Sequence, residues 1–245
     1  EYFARRGIDA VYEGNPLMDA IAERCAAMPP REEFFRANGF GARSVIALLA
    51  GSRRSEVRNN LPFMAALAEL MPEYDFVLAA VPWLDRELYG ELLAGSRIIC
   101  LYDKTYEIVR YADAAVVTSG TATLETALIG TPEVVCYRTD ALTVWAGRRL
   151  LKIPYISLVN LVMGREVVKE LIQQEMTPER AAEELRAILP GGGQRERMLA
   201  DYDALRKRIG GPGASERVAA RMVALLKGEK APRPTEREQE NGGAK

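Results

Sequence analysis

Residues 116–128 read VVTSGTATLETAL. An apolar run over 114–117 meets a turn of small residues (Thr118, Ser119, Gly120, Thr121) and then an uninterrupted helix-forming stretch over 122–129. That order describes a strand, a tight turn and a helix start. A helix start offers unpaired backbone N–H groups and the positive end of the macrodipole, which together hold an anion. Gly120 lets a phosphate come close to the backbone, and the hydroxyls of Ser119, Thr121 and Thr123 add neutral donors. Glu125 follows one helical turn after Thr121. Its carboxylate would repel a phosphate but can accept two hydrogen bonds from a ribose diol. The plainer alternative is a capped helix whose Glu complements the dipole, and spacing alone leaves both open.

Three more stretches have groups suited to ligands. LLAGSRRSEV, residues 48–57, repeats the pattern of strand, Gly-containing turn and helix start. Arg53, directly behind Gly51 and Ser52, reads as a diphosphate contact, because a guanidinium fork grips two phosphate oxygens at once. Arg54 and Arg58 read as solvated charges. Arg138, after Tyr137 at a strand end, reads either as a ligand contact or as a surface charge. In VNLVMGREVVKEL, Asn160 and Glu166 bracket a turn and a helix start; by default these are a turn residue and a first-turn acid.

Composition narrows the chemistry further. The 245 residues suit one large or two small domains. The net charge of −1, with acids and bases interspersed, gives no field that would favour nucleic acid. Cys25, Cys100 and Cys136 lie far apart and read as buried free thiols in a reducing compartment, with no metal-ligand spacing. No histidine is present, which excludes imidazole bases, His-ligated metals and Ser–His or Cys–His pairs within this chain. No cofactor is called for. No apolar run reaches membrane-spanning length. The chain opens at Glu1, inside what reads as the end of a helix, and so reads as a piece of something longer.

These groups need a scaffold, and the hydrophobic pattern supplies one. Strands are predicted over 45–49, 76–80, 98–101, 114–117 and 133–137, all apolar apart from Glu133. Helices are expected over 61–71, 84–93, 106–111, 122–129 and 141–151, with two earlier ones over 18–28 and 32–37. Apolar strands alternating with helices indicate an α/β, doubly wound parallel sheet of Rossmann-like type, which binds ligands beyond the carboxyl ends of its strands. A short strand is also predicted over 8–12. After Pro154 only helices are expected, over 165–175, 178–189, 194–209 and 214–226. The tail from Gly228 is nearly devoid of apolar residues and reads as disordered.

Taken together, LLAGSRRSEV, VTSGTATLETAL, EVVCYR and the run TVWAGRRLLKIPYISLVNLVMGREVVKEL resemble the second half of the lipid-A-disaccharide synthase family, in the same order from about residue 1 to residue 226. The resemblance implies the carboxy-terminal, donor-binding half of an inverting glycosyltransferase of B-type fold. Such an enzyme joins UDP-2,3-diacylglucosamine to 2,3-diacylglucosamine 1-phosphate, giving the β-1,6-linked lipid A disaccharide and UDP. It needs no metal and works on the cytoplasmic face of the inner membrane of Gram-negative bacteria. Two alternatives are a nucleotide-sugar binding module without turnover and another enzyme of this fold, such as a UDP-N-acetylglucosamine 2-epimerase.

By that resemblance Arg53 binds the donor diphosphate and offsets charge on the leaving UDP. Ser119, Gly120 and Thr121 cradle the phosphates, and Gly51 and Ser52 belong to the donor-binding residues. Glu125 holds the ribose, and Asn160 lies near the nucleotide. Residues 1–16 would be the end of an absent amino-terminal domain and the crossover from it, and 17–190 the UDP-sugar domain. Residues 191–227 would be helices returning to the absent domain, and 228–245 a tail. Asn15–Pro16 stands where the family has His-Pro. The general base and the acceptor site would lie in the absent domain.

Overall fold

The computed structural model describes residues 3–8, 10–138 and 154–228. The chain forms two compact units, Arg24–Leu205 and a smaller one made of Glu1–Glu23 with Arg206–Lys245. The helix expected over 141–151 and the disordered tail expected from Gly228 fall outside the described residues, except for Gly228 itself.

The larger unit is built on a six-stranded, wholly parallel sheet. In chain order its strands are β1 (Val45–Leu49), β2 (Asp75–Ala80), β3 (Ile99–Tyr102), β4 (Ala114–Thr118), β5 (Glu133–Tyr137) and β6 (Lys169–Ile172). In space they run β3-β2-β1-β4-β5-β6. The expected doubly wound α/β architecture is present. Ile46, Ala47, Leu48, Val77, Val116 and Val117 are fully excluded from water, so both faces of the central strands are covered. The order reverses between β1 and β4, where Leu49 pairs with Val117. At such a reversal the connections leave in opposite directions and open a crevice at the strand ends.

Helix α3 (Arg54–Leu70) connects β1 to β2 and starts seven residues before the predicted start. It buries Val57, Leu61, Met64, Leu67 and Ala68, a stripe at helical spacing, and it accommodates Pro62 without ending. Helices α4 (Arg86–Leu92), α5 (Thr105–Tyr111) and α6 (Thr121–Ile129) follow β2, β3 and β4. Within the smaller unit and its boundary lie α1 (Leu17–Ala26) and, near the carboxy end, α10 (Ala214–Leu226); α2 (Arg31–Ala37) precedes β1. Between β5 and β6 lies α7 (Leu158–Met163), and α8 (Pro178–Ile188) and α9 (Arg195–Ile209) follow β6.

Two expected secondary-structure elements are absent among the described residues. The stretch 165–175 is not an α-helix: residues 169–172 form β6, where Val134 to Tyr137 pair with Lys169 to Ile172 in register, and only Gln173–Glu175 is helical, as a short 3-10 turn. VVKELI has apolar residues at a spacing compatible with either structure, and pairing with β5 decides it. The strand expected over 8–12 is also absent among its described residues. Val11 and Tyr12 are exposed there, and the Tyr12 hydroxyl donates to Ile209 O at 2.9 Å. Without a neighbouring strand to complete its hydrogen bonds, a short β-rich segment stays irregular.

Inside the smaller unit, Asp19 accepts hydrogen bonds from the N–H groups of Gly213 and Ser215 at the start of α10, the latter at 2.8 Å. Those bonds hold its carboxyl down at about 2. Glu13 is nearly buried and meets the guanidinium of Arg221, while its carbonyl accepts from Arg217 Nη2 at 2.8 Å. All three cysteines are free thiols. Only Cys136 is buried, so burial fails as an expectation for the half-exposed Cys25 and Cys100.

Candidate functional site

The carboxyl ends of β1 and β4 lie side by side at the reversal, and each runs into one of the glycine turns singled out above. A buried amide joins them. Asn60, 1% exposed on the inner face of α3, donates from Nδ2 to Ala50 O at 3.1 Å and to Thr118 Oγ1 at 2.9 Å. Ala50 precedes Gly51 and Thr118 precedes Ser119, so one side chain sets the separation of the two turns.

The second turn keeps its helix start open. Gly120 is the N-cap of α6, and no side chain caps it, whereas Ser157 caps α7 and Thr177 caps α8. The N–H groups of Thr121 and Ala122 have no backbone acceptor among the described residues. A Cβ placed on Gly120 would meet nothing within 4 Å, so the glycine leaves room on the solvent side rather than serving internal packing. The other hydroxyls are engaged. Ser119 donates to Ile156 O at 2.9 Å and Thr123 to Gly120 O at 2.8 Å, whereas Thr121 is exposed and its hydroxyl has no partner among the described residues.

Glu125 is half-exposed one turn along α6. Its Oε1 accepts from the Tyr106 hydroxyl at 2.9 Å, which fixes the carboxylate and leaves Oε2 for a ligand. Burial, then the neighbouring Glu125 charge, pushes the Tyr106 phenol up to about 12, and the Arg24 guanidinium lies 5.8 Å from its ring centre. The phenol therefore stays a donor throughout the physiological range.

The first turn is occupied by its own chain. Glu56 Oε2 accepts from the N–H groups of Ser52 at 2.9 Å and Arg53 at 3.2 Å, and Oε1 accepts from Arg53 Nη1 at 2.9 Å. Gly51 has φ +112°, and a Cβ there would lie 2.5 Å from Glu56 Cβ, so only glycine admits this carboxylate. Trp83 braces the turn from the end of β2, donating from Nε1 to Ser52 O at 3.0 Å. Arg54 pairs with Asp85, and Arg53 keeps 80% of its side chain exposed.

Asn160 is held inside the fold beside the second turn, whose Ser119 hydroxyl reaches Ile156 O. It is fully buried, and all its hydrogen-bonding capacity is used within its own loop. Its Nδ2 donates to Val168 O at 2.9 Å and to Glu170 Oε1 at 2.8 Å, while Oδ1 accepts from the N–H groups of Val167 and Val168. Glu170 also accepts from the backbones of Ile156 and Ser157 and from the Ser157 hydroxyl. Asn160 thus ties α7 to β6 and has no polar atom left for a nucleotide. Arg138 donates to Met176 O, and Glu166 pairs with Lys169.

Composition alone could not have singled out Tyr106, Trp83, Glu56 or Asn60. Asn60 did leave a trace in the sequence, as a polar residue interrupting the apolar stripe of α3. The model of the lipid-A-disaccharide synthetase family matches residues 1–220. This chain belongs to that family. It is similar to the lipid-A-disaccharide synthase of Myxococcus xanthus, at 38% identity over 232 residues, and to that of Syntrophus aciditrophicus, at 40% over 237 residues. Each alignment covers 92% of this chain and 60% of the relative. The chain therefore spans about three-fifths of the relatives it matches. In fold it is similar to the UDP-GlcNAc 2-epimerase of Neisseria meningitidis, which was solved bound to UDP-GlcNAc. There the TM-score is 0.58 at 16% identity, covering 91% of this chain and 58% of that one. A likeness so distant in sequence shows the shared fold and nothing about the reaction.

Proposed function

We propose that this chain is the donor-binding part of an inverting glycosyltransferase. The reaction would join UDP-2,3-diacylglucosamine to 2,3-diacylglucosamine 1-phosphate, yielding lipid A disaccharide and UDP. The observation that carries this reading is the open helix start of α6 at the strand reversal, with the anchored carboxylate of Glu125 one turn further on. The donor diphosphate lies over the Thr121 and Ala122 N–H groups, where the macrodipole favours negative charge. Oε2 of Glu125 takes the ribose diol. Breaking the sugar–phosphate bond builds charge on the departing UDP, and the exposed guanidinium of Arg53 offsets it. Gly51, Ser52, Ser119 and Gly120 shape the two turns around the phosphates.

The acceptor and the general base belong to an amino-terminal domain. The exposed Met222, Leu225 and Leu226 on α10 support a surface that packs against it. The acylated substrates imply work at the inner-membrane surface from the cytoplasmic side. No helix of the described residues is long and apolar enough to cross a membrane. The helix expected over 141–151, with Trp145 beside Arg148 and Arg149, lies outside the described residues.

Calorimetry tests the reading. Residues 1–245 bind UDP, and Glu125→Ala weakens it about tenfold, the scale of one charge-assisted hydrogen bond. The same variant leaves 2′,3′-dideoxy-UDP unchanged. Equal losses for both ligands would remove Glu125 from the ribose. No disaccharide forms from radiolabelled donor with this chain alone; product above the no-protein control would place the base within these residues.

A further inference from the structure

We propose that Glu56 is a positioning residue that aims Arg53 at the donor diphosphate, an inference that rests on the function proposed above. An exposed arginine has many rotamers, and fixing one costs entropy that a ligand must otherwise supply. An ordinary i,i+3 surface pair does little to fix it, because both partners move. Glu56 differs, because its carboxylate is itself held. Oε2 is bound by the Ser52 and Arg53 N–H groups, and its Cβ packs where only Gly51 leaves room. The opposite oxygen, Oε1, then takes a single N–H of Arg53 at 2.9 Å. The other donors of the fork remain for phosphate oxygens. A residue that merely capped α3 would need only the bond from the Arg53 N–H; the grip on the guanidinium is additional.

Two effects oppose each other when the charge is removed. Losing a carboxylate strengthens the attraction of any anion to the turn, although solvent screens this at an exposed site. Losing the anchor frees Arg53. The inference holds that orientation wins.

Glu56→Gln separates the two roles. Its amide oxygen still accepts from both N–H groups, while its NH2 presents a donor to Arg53 in place of an acceptor. UDP and UMP are titrated into residues 1–245 carrying Glu56→Gln, Arg53→Gln or both. Expected is a loss of about fivefold for UDP in Glu56→Gln, a smaller loss for UMP, and no further loss when Glu56→Gln is added to Arg53→Gln. Unchanged or tighter UDP binding in Glu56→Gln overturns the inference. So does an equal loss in the Arg53→Gln background, which would mean that Glu56 supports only the loop. If the wild-type chain binds no UDP, the proposed function falls and this inference falls with it. If UDP binds and depends on Glu125 but not on Glu56, only the inference falls.

Discussion

Asn60 Nδ2 lies 2.9 Å from Thr118 Oγ1, and that bond spans the one place in the sheet where the chain order reverses. The same nitrogen also holds Ala50 O, while the buried Oδ1 has no partner among the described residues. The spacing of the two glycine turns therefore depends on a single amide.

Asn60→Ala strands a carbonyl and a hydroxyl in a dry interior. A loss of about 2–4 kcal/mol in unfolding free energy follows from two such groups. Urea denaturation measures it, and a change below about 0.5 kcal/mol would show that the strand ends hold their positions without the amide. UDP affinity should fall in parallel, because the two turns lose their shared reference.

Tyr106→Phe removes the hydroxyl that anchors Glu125 and leaves the ring. UDP should bind about threefold to tenfold more weakly, while dideoxy-UDP should be indifferent. With the phenol at about 12, its titration contributes no change in affinity between pH 7 and 10. Calorimetry across that range checks both statements; a midpoint near pH 9 that vanishes in Tyr106→Phe would contradict the second.

Glu133 begins β5 fully buried, with neither carboxyl oxygen hydrogen-bonded among the described residues, and burial pushes its pKa well above the ordinary 4.5. The folded state keeps the proton that the unfolded state releases. Stability is therefore full below about pH 4.5 and falls as pH rises beyond it, at up to about 1.4 kcal/mol per unit until the folded group ionises. Glu133→Gln should flatten that decline and raise the melting temperature at pH 8. Identical pH profiles for the two proteins would contradict this.

Asp19 gives the opposite sign. Its carboxyl, lowered from 3.8 to about 2 by the N–H groups at the start of α10, stabilises the smaller unit above its unfolded value. That contribution is lost as pH drops from about 4 to 2. Asp19→Asn should shrink the acid-side fall in helical circular dichroism over that interval. A fall of undiminished size would assign it to other carboxylates.

The sheet and both glycine turns were legible because strands buried on two faces must be apolar throughout, and because glycine followed by small hydroxyl residues marks a strand-to-helix turn. β6 was not legible. Lys169 and Glu170 break its apolar run, and an edge strand beside a loop looks the same as an amphipathic helix until its partner is known. The bracing role of Asn160 was hidden for a related reason: sequence shows an amide after a turn but not whether its four hydrogen bonds are already spent. Glu56 stood in plain view in GSRRSE. Only coordinates could show that its side chain folds back past Gly51 to hold Arg53.

Trp83 is 67% exposed, and its indole N–H rests on the Ser52 carbonyl. The sequence contains only one other tryptophan, Trp145. With Trp145→Phe the protein carries a lone tryptophan, hydrogen-bonded to the turn behind Arg53. Indole emission shifts when its N–H exchanges a carbonyl for water. Any rearrangement of that turn, whether ligand-driven or caused by releasing Glu56, then becomes an optical signal that needs no label and can be followed in a stopped-flow cell.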